Sequence, residues 1–170
     1  ADELIIKLQE NFILTDEGEL GHGSAENKND VSAYLGVQIK KHDDGKIELT
    51  QPFLTERILS TLGDAVKDAN IKKTPAETRQ VLHKDVDGPE RKQDWHYASV
   101  IGMLMYLTET RPDILYAVHS CAQFTTNPKL IHKHTVKRIC RYLKGTADKG
   151  IILDPIPSRG LECYVDAGFA

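Results

Sequence analysis

The stretch YASVIGMLMYLTETRPDILYAV at residues 97–118, followed by NPKLIHKHTVKRICRYLKGT at 127–146, decides how the chain is read. Trp95 to Leu107 is apolar nearly all round, which predicts a buried helix, and Gly102 within it leaves room for another backbone to approach. Pro112 suits the first turn of a second helix, reaching Phe124, with Ile114, Leu115, Val118, Cys121 and Ala122 as its inner face. Arg111 and Asp113 read as parts of that helix start. Asp113 complements the dipole, and Arg111 is expected to pair with a carboxylate. Asn127 and Pro128 break the chain and open a third helix that runs to Lys144 and stops at Gly145. On it Val136, Ile139, Cys140 and Leu143 recur at i, i+3, i+4, i+7, the spacing of a face laid on a core.

Beside that apolar stripe the third helix carries a cationic one. Lys133, Lys137 and Arg141 follow Lys129 at intervals of four, and Lys144 joins them on the next turn. Residues 129–149 hold seven basic side chains against one acid, in a chain whose net charge is −3. A basic block in an acidic chain points to a local polyanion contact, and four phosphate contacts would give log K against log salt a slope of about −3 to −4. A solvated basic face explains the same spacing.

Upstream, Asp2 to Phe12 reads as a helix with Leu4, Ile5, Leu8 and Phe12 at helical spacing. Gly18 to Asp30 is polar and reads as a loop. Two β-patterned runs, Ala33 to Lys40 and Lys46 to Thr50, are joined through Asp43-Asp44-Gly45, a strong hairpin signal. Pro52 opens a short helix over Phe53 to Leu62, with Leu54, Ile58, Leu59 and Leu62 inward and Gly63 as its stop. Asp64 to Asp94 is polar and aperiodic, and so is expected along a surface. Downstream, Gly150 to Leu153 and Leu161 to Val165 read as strands.

The longest apolar-rich stretch, Val100 to Leu107, is too short to span a bilayer, and the acidic N-terminal residues do not resemble a secretory signal. The chain opens on Ala1, which predicts that residues precede it. Cys121, Cys140 and Cys163 lack zinc-ligand spacing and read as reduced core thiols of an intracellular protein. His132 and His134 flank Lys133 on different helix faces, which argues against a metal pair. Trp95, Tyr97 and Tyr106 are suited to stacking on bases, but their apolar neighbours favour core packing.

From Tyr97 onward these residues, with GII at 150–152 and YVDAGFA at 164–170, resemble the copia-type (Pseudoviridae-like) retrotransposon reverse transcriptase family. YLGVQI at 34–39 and IELTQPFLTERIL at 47–59 resemble the end of that family's palm, where a hairpin called the primer grip follows the last palm helix. The insertion GHGSAENKN at 21–29 departs from the family pattern.

The resemblance implies an α+β fold in three parts. Residues 1–52 would be the end of the palm with the hairpin and an inserted loop at 18–30, residues 53–148 a helical thumb, and residues 149–170 the first strands of an incomplete RNase H-like domain. Tyr34, Leu35 and Gly36 would lie near the primer end, and Lys133, Lys137, Arg141 and Lys144 would meet duplex phosphates. Asp166 would be the first RNase H carboxylate. The family's polymerase and RNase H hold Mg²⁺ on several carboxylates. The Tyr-x-Asp-Asp turn that supplies two of them does not occur in this sequence, and Asp43-Asp44 lies in the wrong place. The expected role is therefore template–primer duplex binding with neither active site complete, in association with the rest of a polyprotein, away from membranes, in a cytoplasmic particle or the nucleus. The rival readings are a remnant interaction protein that binds no nucleic acid, and a nuclease built on Asp166.

Overall fold

The computed structural model describes residues 2–13, 31–77 and 81–156. Helix α1 spans Asp2–Gln9. Strands β1 (Val31–Tyr34), β2 (Val37–Lys41) and β3 (Ile47–Thr50) follow, then helices α2 (Pro52–Leu62) and α3 (Asp64–Lys67). After a long irregular segment come α4 (Tyr97–Leu107), a 3-10 turn at Pro112–Ile114, α5 (Leu115–Ala122), α6 (Leu130–Lys144) and β4 (Ile151–Leu153). The fold is mixed α and β, with one four-stranded antiparallel sheet in the order β1-β2-β3-β4.

The run expected as a single strand over Ala33 to Lys40 is bent into a hairpin of its own. Tyr34 pairs with Val37, and Leu35 and Gly36 form the two-residue turn between them. Both have positive φ, 48° and 80°, as the tight hairpin turn that matches strand twist requires. Glycine adopts this conformation without strain and leucine does not. The second hairpin turns through Asp43-Asp44-Gly45 as expected. The Gly45 N–H donates to the His42 carbonyl at 2.9 Å, and the His42 N–H donates to the Lys46 carbonyl at 2.8 Å.

The strand expected over Gly150 to Leu153 forms from Ile151, and its partner is β3, with Leu49 opposite Ile151 and Ile47 opposite Leu153. Segments expected to lie on either side of residue 149 thus share one sheet. Because side chains alternate along a strand, the register puts Ile39, Leu49 and Ile151 in one row and Ile47 and Leu153 in the next row on the same face.

The core lies elsewhere. Its buried apolar residues come from α2 to α6 and the segment entering α4: Ile58, Leu62, Val66, Trp95, Tyr97, Val100, Leu104, Ile114, Val118 and the α6 stripe of Val136, Ile139, Cys140 and Leu143. Trp95 and Tyr97 therefore pack in the core, as their apolar neighbours predict, and stack on each other at 5.9 Å. Burial pushes the Cys121 and Cys140 thiols up to about 12, which keeps them unreactive as thiolates. No strand residue whose side chain is described belongs to this cluster. Helix α1 ends at Gln9 rather than Phe12, and Ile6 and Phe12 are exposed. The insertion at 18–30, the strand expected over 161–165, Cys163 and Asp166 lie outside the described residues.

Candidate nucleic-acid interface

The helix start at Arg111 is the most heavily bonded polar group of the fold. Arg111 is 2% exposed, and its Nε and Nη2 donate to both Asp113 carboxylate oxygens at 2.9 and 2.8 Å. Nη1 and Nη2 also donate to the carbonyl and Oγ1 of Thr146 at 2.7 and 2.8 Å, joining the start of α5 to the end of α6. The Tyr142 hydroxyl donates to Asp113 at 2.7 Å. Burial raises the Asp113 carboxyl, but the hydrogen bonds from Arg111 and Tyr142 outweigh it and hold the group below the usual carboxylate range. With every donor facing protein, this cluster ties helices together.

The cationic stripe of α6 divides in the folded chain. Lys133 is 4% exposed, bonds to the Lys92 carbonyl at 2.8 Å and pairs with Asp94. Its ammonium holds the Asp94 carboxyl below the usual range. Arg141 Nε donates to the Asn70 carbonyl at 2.6 Å. Lys144 donates to the carbonyls of Val66, Lys67 and Ala69. Arg138 bonds Glu77 and Thr74 at 2.6 and 3.0 Å, and Lys129 pairs with Glu90.

Along α6 these bonds follow the end of α3 and then the described residues between 68 and 94, which run back beside the helix without helix or strand of their own. A segment with neither helix nor strand has carbonyls without ladder partners, and the α6 cations supply the donors. Lys133, Arg141 and Lys144 have intramolecular acceptors, and Lys137 alone of the four makes no hydrogen bond or ion pair among the described residues.

Two further residues give the track its end. His132 is fully buried and stacked on Phe124 at 4.2 Å. Its Nδ1 accepts the Lys129 backbone N–H at 2.9 Å, and its Nε2 donates to the His83 carbonyl at 2.9 Å. His132 thus caps α6 as the neutral Nε2–H tautomer. Sequence reading missed this cap because histidine is an uncommon third residue of a capping box.

Tyr34, Leu35 and Gly36 come together at the tip of the first hairpin. Leu35 is 72% exposed, and the Tyr106 hydroxyl on α4 donates to its carbonyl. Tyr106, expected in the core, is instead on the surface because its ring leaves the α4 inner face to reach this turn. A second tie runs from Thr110 Oγ1 to Gln51 Oε1 at 2.8 Å. Between hairpin tip, α2 and α4 lies an open groove of about 460 Å³ whose walls include Gly36, Phe53, Arg57, Gly102 and Met103. A Cβ at Gly102 would meet nothing within 4 Å, so this glycine faces the groove and no described backbone closes on it.

Among the described residues no three His, Cys, Asp or Glu side chains gather to hold a metal. Asp44 is paired with Lys46 at 2.7 Å in the turn of the second hairpin. No described helix is long and apolar enough to cross a membrane.

No family profile and no solved structure matches the chain. Curated proteins do. An uncharacterized mitochondrial protein of Arabidopsis thaliana is 31% identical over 98% of this chain and 63% of its own length. The retrovirus-related Pol polyprotein from transposon RE2 of Arabidopsis thaliana is 32% identical over 86% of this chain. The corresponding polyprotein from transposon TNT 1-94 of Nicotiana tabacum is 31% identical over 99% of it. The chain spans 10% and 13% of those two polyproteins. With agreement over most of its length at about this level, the chain is a retrotransposon-derived sequence, similar to one short segment of transposon Pol polyproteins.

Proposed function

We propose that this chain is the palm end, thumb and first RNase H strands of a copia-type reverse transcriptase, and that its own role is to hold a template–primer duplex by the backbone. The observation that carries the reading is the hairpin tip at Tyr34, Leu35 and Gly36, tied across to α4 by Tyr106 and flanking an open groove. Kinship with transposon Pol polyproteins supports it. In the parent enzyme the rest of the polyprotein would supply the Mg²⁺-holding carboxylates of the polymerase, and Asp166 would begin those of RNase H. The engagement of Lys133, Arg141 and Lys144 within the chain favours one rival, a protein that keeps this fold and binds no nucleic acid.

Fluorescence anisotropy with a labelled RNA–DNA hybrid across a salt series separates the two. Binding independent of base sequence is expected, and Lys137→Ala should flatten the salt slope by about 0.9, one phosphate's worth, with stability unchanged. Lys133→Ala should act differently. It leaves Asp94 beside an emptied site, and because that carboxylate is partly solvated the cost is about 1–3 kcal/mol of stability. No measurable binding at low salt would establish the rival reading.

Primer extension on a homopolymer template with Mg²⁺ or Mn²⁺ should match a protein-free blank, because the Tyr-x-Asp-Asp turn does not occur in this sequence. Extension that persists through purification and is lost on changing a carboxylate of this chain would overturn the assignment of the parts.

A further inference from the structure

Lys129 and Lys133 are buried cations of α6, and what covers them is the stretch that leads into α4. Their side chains are 8% and 5% exposed, whereas the carboxylates paired with them, Glu90 and Asp94, are 73% and 38% exposed. Residues 84–94 therefore lie over two ammonium groups as a strap, with their own acids turned to water. The strap runs between two anchors. Before it, Leu82 packs against the core and the His83 carbonyl accepts from His132; after it, Trp95 is buried.

Between the anchors the hold on α6 is polar. The Leu130 N–H donates to the Pro89 carbonyl at 3.0 Å, and Glu90 and Lys129 oppose each other in an isolated antiparallel bridge. Lys133 donates to the Lys92 carbonyl at 2.8 Å. Arg91 adds a contact over the rings of Trp95 and Tyr97, and Val86 is exposed. A segment with few buried apolar contacts opens at lower cost than the core. Each ion pair has one member in water, so salt and competing anions weaken both.

We propose that the strap and the backbone of a nucleic-acid duplex compete for one cationic row on α6. Docking of the duplex displaces residues 84–94 and frees Lys129 and Lys133 to join Lys137 on the phosphates. The three lysines follow at intervals of four, about 6 Å apart along one side of the helix, so their side chains reach neighbouring phosphates. The duplex drives the exchange, because its phosphates release condensed counterions when neutralised and the strap carboxylates have no such atmosphere to release. The covered helix offers one cation of the row, and the uncovered helix offers three. This competition rests on the duplex-holding role proposed above.

The test pins the strap in the full chain with Glu90→Cys and Lys129→Cys, adding Cys163→Ser to prevent disulfide exchange. Residues opposed in an antiparallel bridge have the Cα separation a disulfide needs, and the α6 cap uses the Lys129 backbone N–H. Binding of a labelled RNA–DNA hybrid is followed across a salt series. In the reduced variant Lys133 and Lys137 both meet phosphates, and log K against log salt should have a slope of about −1.8. Oxidation holds the strap over Lys133 and should flatten the slope to about −0.9, reversibly with dithiothreitol. A second measurement needs no variant. In the wild-type chain the Leu130 amide should lose hydrogen-exchange protection when the hybrid is added, because its acceptor is the Pro89 carbonyl of the strap. Equal slopes in the two redox states, or a Leu130 amide that stays protected in hybrid-bound chain, would overturn the competition and leave the duplex role standing. Absence of hybrid binding by wild type and reduced variant alike would overturn both.

Discussion

Arg111→Met should lower the stability of the chain by about 2–4 kcal/mol, because it strips the buried Thr146 groups of their donors while the Asp113 left behind is partly solvated. The substitution leaves the Asp113 carboxylate without its two guanidinium bonds and the Thr146 carbonyl and hydroxyl without their donors. Arg111→Lys should recover only part of the loss, because an ammonium cannot match the planar two-bond contact with Asp113. Urea unfolding followed by circular dichroism measures both. A midpoint for Arg111→Met within error of wild type would show that the cluster does not hold α5 and α6 together. The same cluster sets an acid sensitivity. Asp113 is held below its ordinary value in the folded chain, so its contribution is present above the unfolded carboxylate value of about 3.9 and is lost as pH falls through the lower folded value. In Arg111→Met that acid-labile component should shrink to what the Tyr142 hydrogen bond still supplies.

Leu143→Ala should cost about 2–5 kcal/mol through lost burial and the cavity left behind. Leu143 is fully buried on the inner face of α6, among the core residues contributed by α2 to α6. Leu143→Met keeps the volume and should cost less than about 1.5 kcal/mol, which distinguishes a cavity from a general intolerance at this position. The damage has a functional signature as well. Loss of duplex binding by Leu143→Ala should coincide with unfolding in a thermal melt, whereas loss by Lys137→Ala should leave the melt unchanged. A folded Leu143→Ala chain of wild-type stability would mean that α6 is not seated on the core as described.

The sequence alone determined the local elements wherever periodicity and punctuation agree. Helix α2 lies between Pro52 and Gly63, α6 stops at Gly145, and the Asp43-Asp44-Gly45 hairpin turns where an Asp-Gly signal predicts it. Apolar spacing on α6 likewise marked Val136, Ile139, Cys140 and Leu143 as core, because a face that repeats every 3.6 residues has to be buried against something. The resemblance to transposon polyproteins was legible from the same strings of residues.

Other outcomes depended on contacts between distant parts of the chain. Nothing local distinguishes a strand through YLGVQI from two strands with a turn at Leu35-Gly36; the pairing of Tyr34 with Val37 settles it. Ile151 to Leu153 has strand composition, but only the sheet shows that its partner is β3. Gln51 reads as an ordinary polar residue before a proline until folding buries it with its amide nitrogen unpartnered. The basic helix shows the limit best. Spacing placed Lys133, Lys137, Arg141 and Lys144 in one stripe, and charge alone cannot say whether a cation faces a phosphate or the protein's own carbonyls. The end of α3 and the described residues between 68 and 94 lie along that stripe and supply the carbonyls. Sequence fixes where the donors sit on α6, but only the tertiary structure decides which acceptors they meet.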